Sequence, residues 1–409
     1  MLERYRGTMA PERRVNHQNE IETNILAVAP FFPPAILAGG PIRSVEGLID
    51  RLHNEFNFYV LAVNHDLGQT NILPGVHSDG WIKQKHALIR FESDNSFTVK
   101  NYRRWITESK ASVIYLNTFF SPRFSLLPQM AALLNRGIRP AVVIAPRGSL
   151  MREALGLKPL KKRVYFSIYR LLGLHRKVLW HATSNEEAAD LRTLFGPHIT
   201  VIVASQLRAN ADRTVLPSLE KKVRQLRVIF LSRISPKKNL VFAIERLARI
   251  NGKVHFTIAG PMEDESYAAE CVALARSLPA SVTVDFIGTV EHTRVEQVIT
   301  DHHLFFLPSL AENYGHAIVE ALYCSRPVLI GDRTPWHDLD RRGLGHDIPL
   351  VDTLAFDRAL QQACDQDQEE FVRQIEAMPS AVAELLDETG ALEQNRSMFR
   401  TAASGASSK

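Results

Sequence analysis

Residues 307–330 read LPSLAENYGHAIVEALYCSRPVLI, in which a short apolar run is followed by a polar loop, a glycine and an apolar helical stretch. Strand, loop, glycine and helix in this order are typical of the turn from a parallel strand to its crossover helix. In open α/β sheets, ligands bind beyond the carboxyl ends of the strands, where such turns lie. The segment therefore predicts a doubly wound α/β fold with a ligand site near Gly315.

The same alternation of short apolar runs and helical stretches extends along the chain in two series. Candidate strands lie at residues 24–29, 58–63, 112–117, 141–145, 178–183 and 200–203, and then at 227–231, 253–259, 281–287, 304–307 and 327–330. Candidate helices lie at 42–52, 122–135 and 186–194, and then at 240–250, 266–277, 293–301 and 315–324. The pattern predicts two doubly wound Rossmann-like domains with a cleft between them.

A polar and charged segment at residues 209–224 separates the two series, and we interpret it as a linker. It divides an N-terminal domain at 23–208 from a C-terminal domain at 225–375. The first 22 residues are polar and charged and predict a flexible leader, because they lack the apolar core of a secretory signal. Residues 376–409 predict a helix followed by a disordered tail, since the chain is small and polar from residue 402 onward.

Composition argues against several classes of protein. With 45% hydrophobic residues the chain can build sizeable cores, and no run approaches the ~20 apolar residues that span a bilayer. The three cysteines, Cys271, Cys324 and Cys364, are far apart, which fits a reduced compartment without disulfides or structural zinc. No metal-ligand spacing of histidines and carboxylates occurs. We therefore expect a cytoplasmic protein without a metal cofactor.

The net charge of +5 conceals an asymmetry between the two halves. Residues 1–205 contain 26 Lys and Arg against 16 Asp and Glu, whereas residues 206–409 contain 23 against 28. Such a difference indicates that the halves meet different partners. Nucleic acid is disfavoured because no zinc finger, helix-turn-helix or RNP-like motif is present. A membrane surface or an acidic acceptor fits the basic half better.

Two glutamates of the opening segment are candidates for ligand binding. Glu312 precedes the helix and Glu320 lies about a turn and a half inside it, so both can face one ligand across the helix start. Carboxylates accept hydrogen bonds from hydroxyl pairs such as those of a sugar or a ribose. The free amides of Gly315, His316 and Ala317 offer a phosphate site. A chance spacing, with Glu320 as an ordinary acid favoured by the helix dipole, is the alternative.

Residues 228–240 read VIFLSRISPKKNL, and they place two cations on a second turn from strand to helix. Arg233 presents a planar fork of donors and Lys238 a point charge, and both suit phosphate. Without a metal, such cations and helix starts must stabilise a departing diphosphate. A solvated helix start among the chain's 49 basic residues is the alternative interpretation.

Together, these motifs resemble the E-x7-E signature and the Arg-x4-Lys pair of the family 4 retaining glycosyltransferases of the surface-polysaccharide and lipopolysaccharide group 1 type. The resemblance covers about residues 24–375 and implies the GT-B architecture of two Rossmann-like domains. It implies that Glu312 contacts the transferred sugar and Glu320 the nucleotide ribose. It also implies that Arg233, Lys238 and the helix start at Gly315 stabilise the departing diphosphate. Ser325 departs from the family pattern, which usually has Gly there.

The N-terminal half shows weaker signals of the same kind. Residues 29–52 resemble the family's N-terminal Gly-Gly loop, in which Gly39 and Gly40 let the backbone approach a ligand closely and Arg43 points the same way. Asn117 and Arg147 follow two strands and are expected to line the cleft. Many relatives have a histidine near Asn117, and an amide cannot act as a general base. Arg147 can anchor an anionic acceptor or the diphosphate, or can fix its own loop.

A basic stretch of the N-terminal half combines cations with apolar residues. Such a mixture can lie on an anionic membrane, where each cation contributes ~1 kcal/mol. A helix packed on its sheet with a solvated basic face is an equal alternative. The cations are Lys158, Lys161, Lys162, Arg163, Arg170, Arg176 and Lys177.

The sequence thus predicts a hexosyltransferase that uses a UDP- or GDP-sugar and a glycan or lipid-linked acceptor in surface-polysaccharide biosynthesis. The resemblance implies retention of the anomeric configuration. The predicted location is cytoplasmic, with peripheral contact at the inner face of the membrane. Two alternatives stay open: a sugar-nucleotide 2-epimerase of the same fold, and a catalytically silent scaffold subunit that binds nucleotide sugar.

Overall fold

The computed structural model describes residues 23–77, 80–150, 159–208, 219–386 and 388–407. The leader expected at residues 1–22 lies outside these ranges, as do residues 209–218 of the expected linker.

The described part of the N-terminal half forms an eight-stranded sheet in the order β3-β4-β2-β1-β5-β6-β7-β8. Its pairs are parallel except that β3 runs antiparallel to β4. The six predicted strands are confirmed to within one residue, whereas β3 and β4 were not predicted. The strands are β1 (Asn24–Val28), β2 (Asn57–Val63), β3 (Ile82–Gln84), β4 (Ala87–Glu92), β5 (Val113–Leu116), β6 (Ala141–Ile144), β7 (Leu179–Ala182) and β8 (Thr200–Val203).

Helices cover both faces of this sheet, because each helix carries an apolar stripe at helical spacing. In α1 the stripe includes Ile42, Val45, Leu48 and Leu52, all at most 2% exposed. The side chain of Thr98 caps α2 by accepting a hydrogen bond from the amide of Asn101. The helices are α1 (Gly40–Leu52), α2 (Val99–Ser109), α3 (Leu127–Leu134), α4 (Pro159–Leu171) and α5 (Asn185–Phe195).

The C-terminal half forms a six-stranded parallel sheet in the order β11-β10-β9-β12-β13-β14. Five strands confirm the prediction to within two residues, and β14 was not predicted. The strands are β9 (Gln225–Leu231), β10 (Lys253–Ala259), β11 (Val282–Gly288), β12 (Leu304–Leu307), β13 (Val328–Gly331) and β14 (Gly345–Ile348). The helices are α6 (Leu240–Leu247), α7 (Glu265–Arg276), α8 (His292–Thr300), α9 (His316–Tyr323), α10 (Thr353–Asp365), α11 (Gln368–Leu386) and α12 (Glu388–Ser407).

Each sheet has a switch point, where the strand order reverses, and ligands of such sheets bind there. In the C-terminal sheet it lies between β9 and β12, and in the N-terminal sheet between β1 and β5. The turns after these four strands carry Arg233, Glu312, Gly39 and Asn117. The topology therefore brings the predicted motifs of each half to one crevice.

The last helix, α12, returns to the N-terminal half. The ring of Phe399 lies 5.5 Å from that of Phe56, and Arg396 Nε donates to both carboxylate oxygens of Glu55 at 2.8 and 2.7 Å. The disordered tail expected from residue 402 is therefore wrong for residues 402–407, which belong to α12. The small side chains suit close packing against the sheet, and Ala402 is 3% exposed.

Candidate functional site

A cleft of about 340 Å³ lies between the two sheets, at the switch point of each. Both halves of the chain contribute to its wall, so the predicted site residues do converge. Those that line it are Gly39, Gly40, Arg43 and Arg147 from the N-terminal half, and Arg233, Lys238, Glu312, Gly315, His316 and Glu320 from the C-terminal half.

The two C-terminal motifs meet in an ion pair between the Lys238 ammonium and Glu312 Oε1. The two side chains are only 13% and 9% exposed. Ser309 Oγ also donates to Glu312 Oε1, at 2.8 Å, and the Leu310 amide donates to the Lys237 carbonyl at 2.9 Å. A charge pair this far out of water holds its geometry because separating it would leave both charges unpaired. Lys238 and Glu312 thus occupy fixed positions at the centre of the wall.

Arg233 lies at the rim of the cleft and has a different environment. Its Nη1 donates to Glu263 Oε1 at 2.6 Å, and both side chains are about 40% exposed. Its turn is packed tightly, because a Cβ on Gly260 would lie 1.9 Å from the carbonyl oxygen of Ser232. An exposed pair of this kind contributes little to stability. Arg233 can therefore exchange Glu263 for an entering anion at small cost.

Gly315 opens α9, as predicted, and it does so in the left-handed region with φ 77°. A Cβ there would lie 2.7 Å from Ile318 Cδ1, so the position favours glycine sterically as well. The amides of Ile318 and Val319 donate to the Gly315 carbonyl. The amides of His316 and Ala317 precede these first intrahelical bonds and have no partner within the helix. The helix start thus offers donors to an anion in the cleft.

Glu320 lies one further turn into α9 and lines the same cleft. Burial raises the pKa of its carboxyl, and the positive charges of Arg43 and Arg208 oppose that rise. Arg208 was not predicted, because nothing in the sequence pattern between β8 and the linker marks it. The Arg208 guanidinium lies 4.1 Å from the centre of the Tyr323 ring, which places it beneath α9.

His316 is surrounded by positive charge from both halves. Burial lowers the pKa of its imidazole to about 3, and Arg147, Arg43, Arg208 and Lys238 lower it further. Its Nε2 lies 3.2 Å from Ser44 Oγ of α1, so the two halves touch here. A neutral imidazole among four cations leaves the wall electropositive, which favours an anionic ligand.

Asn117 lies behind the cleft wall and not on it, which corrects the expectation that it lines the cleft. It is 4% exposed. Its Nδ2 donates to the Pro41 carbonyl at 2.8 Å, and its Oδ1 accepts from Arg147 Nε at 2.8 Å. Both hydrogen-bonding ends of the amide are therefore engaged by the protein. Asn117 joins the Gly-Gly loop to Arg147.

Among the described residues, no group of three His, Cys, Asp or Glu side chains could hold a metal ion. Within the same ranges, no helix combines the length and the apolar character needed to cross a bilayer.

Solved structures share this architecture over nearly the whole chain. Anabaena Alr3699/HepE, solved in complex with UDP-glucose, superposes with a TM-score of 0.67 at 15% identity, over 92% of this chain and 99% of that one. Sucrose-phosphate synthase (tll1590) of Thermosynechococcus elongatus superposes with a TM-score of 0.67 at 14% identity, over 94% and 100%. These likenesses show the fold, which is the GT-B architecture of two Rossmann-like domains.

Sequence comparisons find similarity to glycosyltransferases over part of the chain. Residues 212–338 match the family described as glycosyl transferases group 1. The phosphatidylinositol N-acetylglucosaminyltransferase gpi3 subunit of Schizosaccharomyces pombe is 29% identical over 147 residues, 35% of this chain and 31% of that protein. The chain thus matches about a third of the length of this curated relative. These findings confirm the glycosyltransferase resemblance that the glutamate and cation motifs indicated.

Proposed function

We propose that this protein transfers a hexose from a UDP- or GDP-sugar to a glycan or lipid-linked acceptor. The observation that carries the proposal is the Lys238–Glu312 pair, which lies at the switch point beside the open start of α9. The UDP-glucose bound to the Anabaena structure supports a nucleotide sugar as the donor. Residues 23–208 then form the acceptor domain and residues 225–375 the nucleotide-sugar domain.

Each side chain takes a role that its position allows. Transfer breaks the bond from the anomeric carbon to the diphosphate oxygen and forms one to an acceptor hydroxyl oxygen. The O–H bond of the acceptor breaks as well, and its proton passes to the departing diphosphate. The diphosphate leaves with the electron pair, and Arg233, Lys238 and the start of α9 stabilise its charge. Glu312 orients the sugar, and Glu320 accepts hydrogen bonds from the ribose hydroxyls. Retention of configuration and a role in surface-polysaccharide biosynthesis are parts of the proposal that rest on the family resemblance.

Donor binding tests the proposal most directly. We expect UDP or GDP to bind the purified protein in isothermal titration, and Glu320→Gln to weaken that binding about tenfold because a charged acceptor of ribose hydroxyls is lost. Glu384→Gln is the matched control, since Glu384 is 77% exposed in a surface ion pair. Equal affinity of Glu320→Gln and the wild type would contradict the assigned role.

Product analysis separates the proposed transfer from its two alternatives. Radiolabelled UDP- and GDP-hexoses are incubated with the protein, with and without a membrane extract as the acceptor source. Label in a glycan or lipid fraction supports transfer. Interconversion of the free sugar nucleotide without acceptor would indicate an epimerase instead. Donor binding without either product would indicate a scaffold subunit.

We also propose that α3 and α4 contact an anionic membrane surface, on which a lipid-linked acceptor would lie. The basic stretch that predicted this contact does form a helix, α4, and the helix has two apolar faces. On the inner face, Phe166 stacks on Phe195 with ring centres 4.8 Å apart. On the outer face, Val164, Ile168 and Leu171 are 54%, 48% and 87% exposed.

The exposed apolar surface continues onto α3, which packs beside α4. Tyr169 donates to Gln129 at 2.9 Å, and Leu133 and Leu134 of α3 are 47% and 55% exposed. Residues 122–177 contain 12 Lys and Arg against a single Glu. Exposed apolar side chains rimmed by cations suit the surface of an anionic bilayer. Lys158 and the side chains of Lys161 and Arg163 lie outside the described part of this surface.

Liposome sedimentation tests the membrane contact. We expect the protein to sediment with phosphatidylglycerol vesicles at low salt, to a lesser degree at high salt, and weakly with phosphatidylcholine. Leu171→Glu should reduce the bound fraction, because it places an acid in the apolar surface. Val351→Glu, at a residue 90% exposed in the C-terminal half, should not. Sedimentation unaffected by Leu171→Glu would overturn this part of the proposal.

A further inference from the structure

Arg147 stands in an uncommon backbone conformation that its surroundings fix. Its φ is 54°, in the left-handed region that side chains other than glycine rarely adopt. The next amide, of Gly148, donates to Glu187 Oε1 at 2.7 Å, and Glu187 Oε2 accepts from the amide and the hydroxyl of Thr183, both at 2.8 Å. Glu187 is 1% exposed. A buried carboxylate thus holds the turn, and strain of this kind collects at functional sites.

The side chain of Arg147 is fixed as firmly by a buried chain of hydrogen bonds. Its Nε donates to Asn117 and its Nη2 donates to the Tyr115 hydroxyl at 2.7 Å. The Tyr115 O–H in turn donates to His181 Nδ1 at 2.9 Å, because His181 Nε2 uses its own proton on the Ala204 carbonyl at 2.8 Å. Every hydrogen bond in this series therefore has a defined donor and a defined acceptor. The guanidinium therefore has one orientation.

None of these partners supplies a negative charge. Burial lowers the pKa of His181 to about 3, with the Arg147 charge as a further cause, so the imidazole is neutral. Burial raises the pKa of Tyr115 to about 12 although Arg147 opposes the rise, so the phenol is neutral as well. The third nitrogen, Nη1, is buried without a hydrogen-bond partner within the described part of the chain. The Glu187 carboxylate also acts on this network, but its oxygens accept from the Gly148 amide and from Thr183. Nη1 therefore remains available as a donor to an anionic ligand.

The position of Arg147 indicates where that anion lies. Arg147 lines the cleft together with Gly39, Gly40 and His316, and its charge lowers the pKa of His316 across the cleft. A fixed guanidinium fork matches the oxygens of a phosphate. We infer that Arg147 binds a phosphate group of the substrate on the N-terminal wall, and that Tyr115 and His181 are positioning residues that hold it. The inference rests on the proposed function, since the phosphate belongs either to the donor diphosphate or to the acceptor.

Two titrations show whether the phosphate belongs to the donor diphosphate or to the acceptor. Each is carried out on the wild type, on Arg147→Met and on Tyr115→Phe. The first measures the Kd of UDP. The second adds methyl phosphate to UDP-saturated protein and follows the thermal midpoint. If the donor diphosphate is the ligand, Arg147→Met should weaken UDP about tenfold or more, and Tyr115→Phe less. If the acceptor phosphate is the ligand, UDP affinity stays unchanged and the shift with methyl phosphate is lost in Arg147→Met and reduced in Tyr115→Phe.

Arg192→Met, at an exposed arginine of α5, is the control for charge removal and should match the wild type in both titrations. Wild-type values for folded Arg147→Met in both titrations would overturn the inference. If Arg147→Met does not fold, Tyr115→Phe decides it by the same two measurements, and wild-type values there overturn it equally. If the wild type binds GDP and not UDP, both titrations use GDP. Failure of the wild type to bind either nucleotide would count against the proposed function, while the methyl phosphate titration, repeated without nucleotide, still tests Arg147.

Discussion

The two walls of the cleft are built in different ways. In the C-terminal wall, Arg233, Lys238 and Glu312 lie on the turns directly after β9 and β12, within a few residues of the strands that place them. In the N-terminal wall, Arg147 depends on Tyr115 of β5 and His181 of β7, which are 32 and 34 residues away in sequence. Each side chain of the C-terminal wall is thus placed by its own strand-to-helix turn, although Lys238 and Glu312 pair across 74 positions. In the N-terminal wall, the orientation of Arg147 itself is set by side chains from distant strands.

This difference explains which parts of the site a family comparison detects. The group 1 match covers residues 212–338, which contain the C-terminal wall and none of the N-terminal one. A shared fold hosts different substrates through changes at its sites. We therefore expect the C-terminal wall to act on the nucleotide sugar, common to the class, and the N-terminal wall to distinguish acceptors.

Lys238→Met should lower activity more than any other variant, and it tests whether the C-terminal wall acts on the nucleotide sugar. The variant removes a cation from the departing diphosphate and leaves Glu312, 9% exposed, without its counter-ion. Loss of one such electrostatic contact costs about 10²- to 10³-fold in kcat, and we expect at least 100-fold in initial-rate assays with the active donor. Arg147→Met should lower kcat less. Lys253→Met, at the exposed start of β10, is the control. A loss below about threefold for Lys238→Met would break the comparison.

Gly148→Ala tests the place where the two walls meet. A Cβ on Gly148 would lie 2.8 Å from Asn313 Cβ of the other half, and the position has φ +72°. We expect a loss of about 1–2 kcal/mol in the free energy of unfolding from the backbone conformation alone, with a further loss from the contact. Gly173→Ala separates the two causes, since Gly173 has φ +63° and no atom within 4 Å of its Cβ position.

The urea concentration at the midpoint of unfolding measures the stability of both variants. Gly148→Ala should be the less stable of the two and should also lower the transfer rate, because the halves can no longer approach as closely. Equal midpoints and a normal rate for Gly148→Ala would mean that Asn313 yields freely, and that contact between the walls does not limit activity.

The sequence predicted what is encoded locally. The alternation of apolar runs located eleven of the strands, and the spacing from Glu312 to Glu320 located the C-terminal wall. It missed β3, β4 and β14, because polar residues interrupt the apolar pattern of each strand, as Lys83 does in β3, Arg90 in β4 and Asp347 in β14. It missed His181 and Arg208 as well, since only the tertiary fold brings His181 to Tyr115 and Arg208 to the Tyr323 ring of α9. The packing of α12 on the N-terminal half joins Arg396 to Glu55 across 341 positions, a distance that no local pattern spans.

Ser325→Gly should give the smallest effect, and it tests the C-terminal half where its sequence departs from the family pattern. Ser325 joins α9 to β13 with φ 47°, in the region that costs an L-residue about 1–2 kcal/mol and glycine almost nothing. Glycine loses about 0.4–1 kcal/mol more chain entropy on folding. We therefore expect the free energy of unfolding to rise by less than about 1 kcal/mol and kcat to stay unchanged. Ser277→Gly, at a helix end with φ −89°, relieves no strain and should lower the midpoint through the entropy loss and the loss of its hydrogen bond to the Leu274 carbonyl. A lower midpoint for Ser325→Gly too would mean that contacts of this side chain, 1% exposed, outweigh the backbone strain.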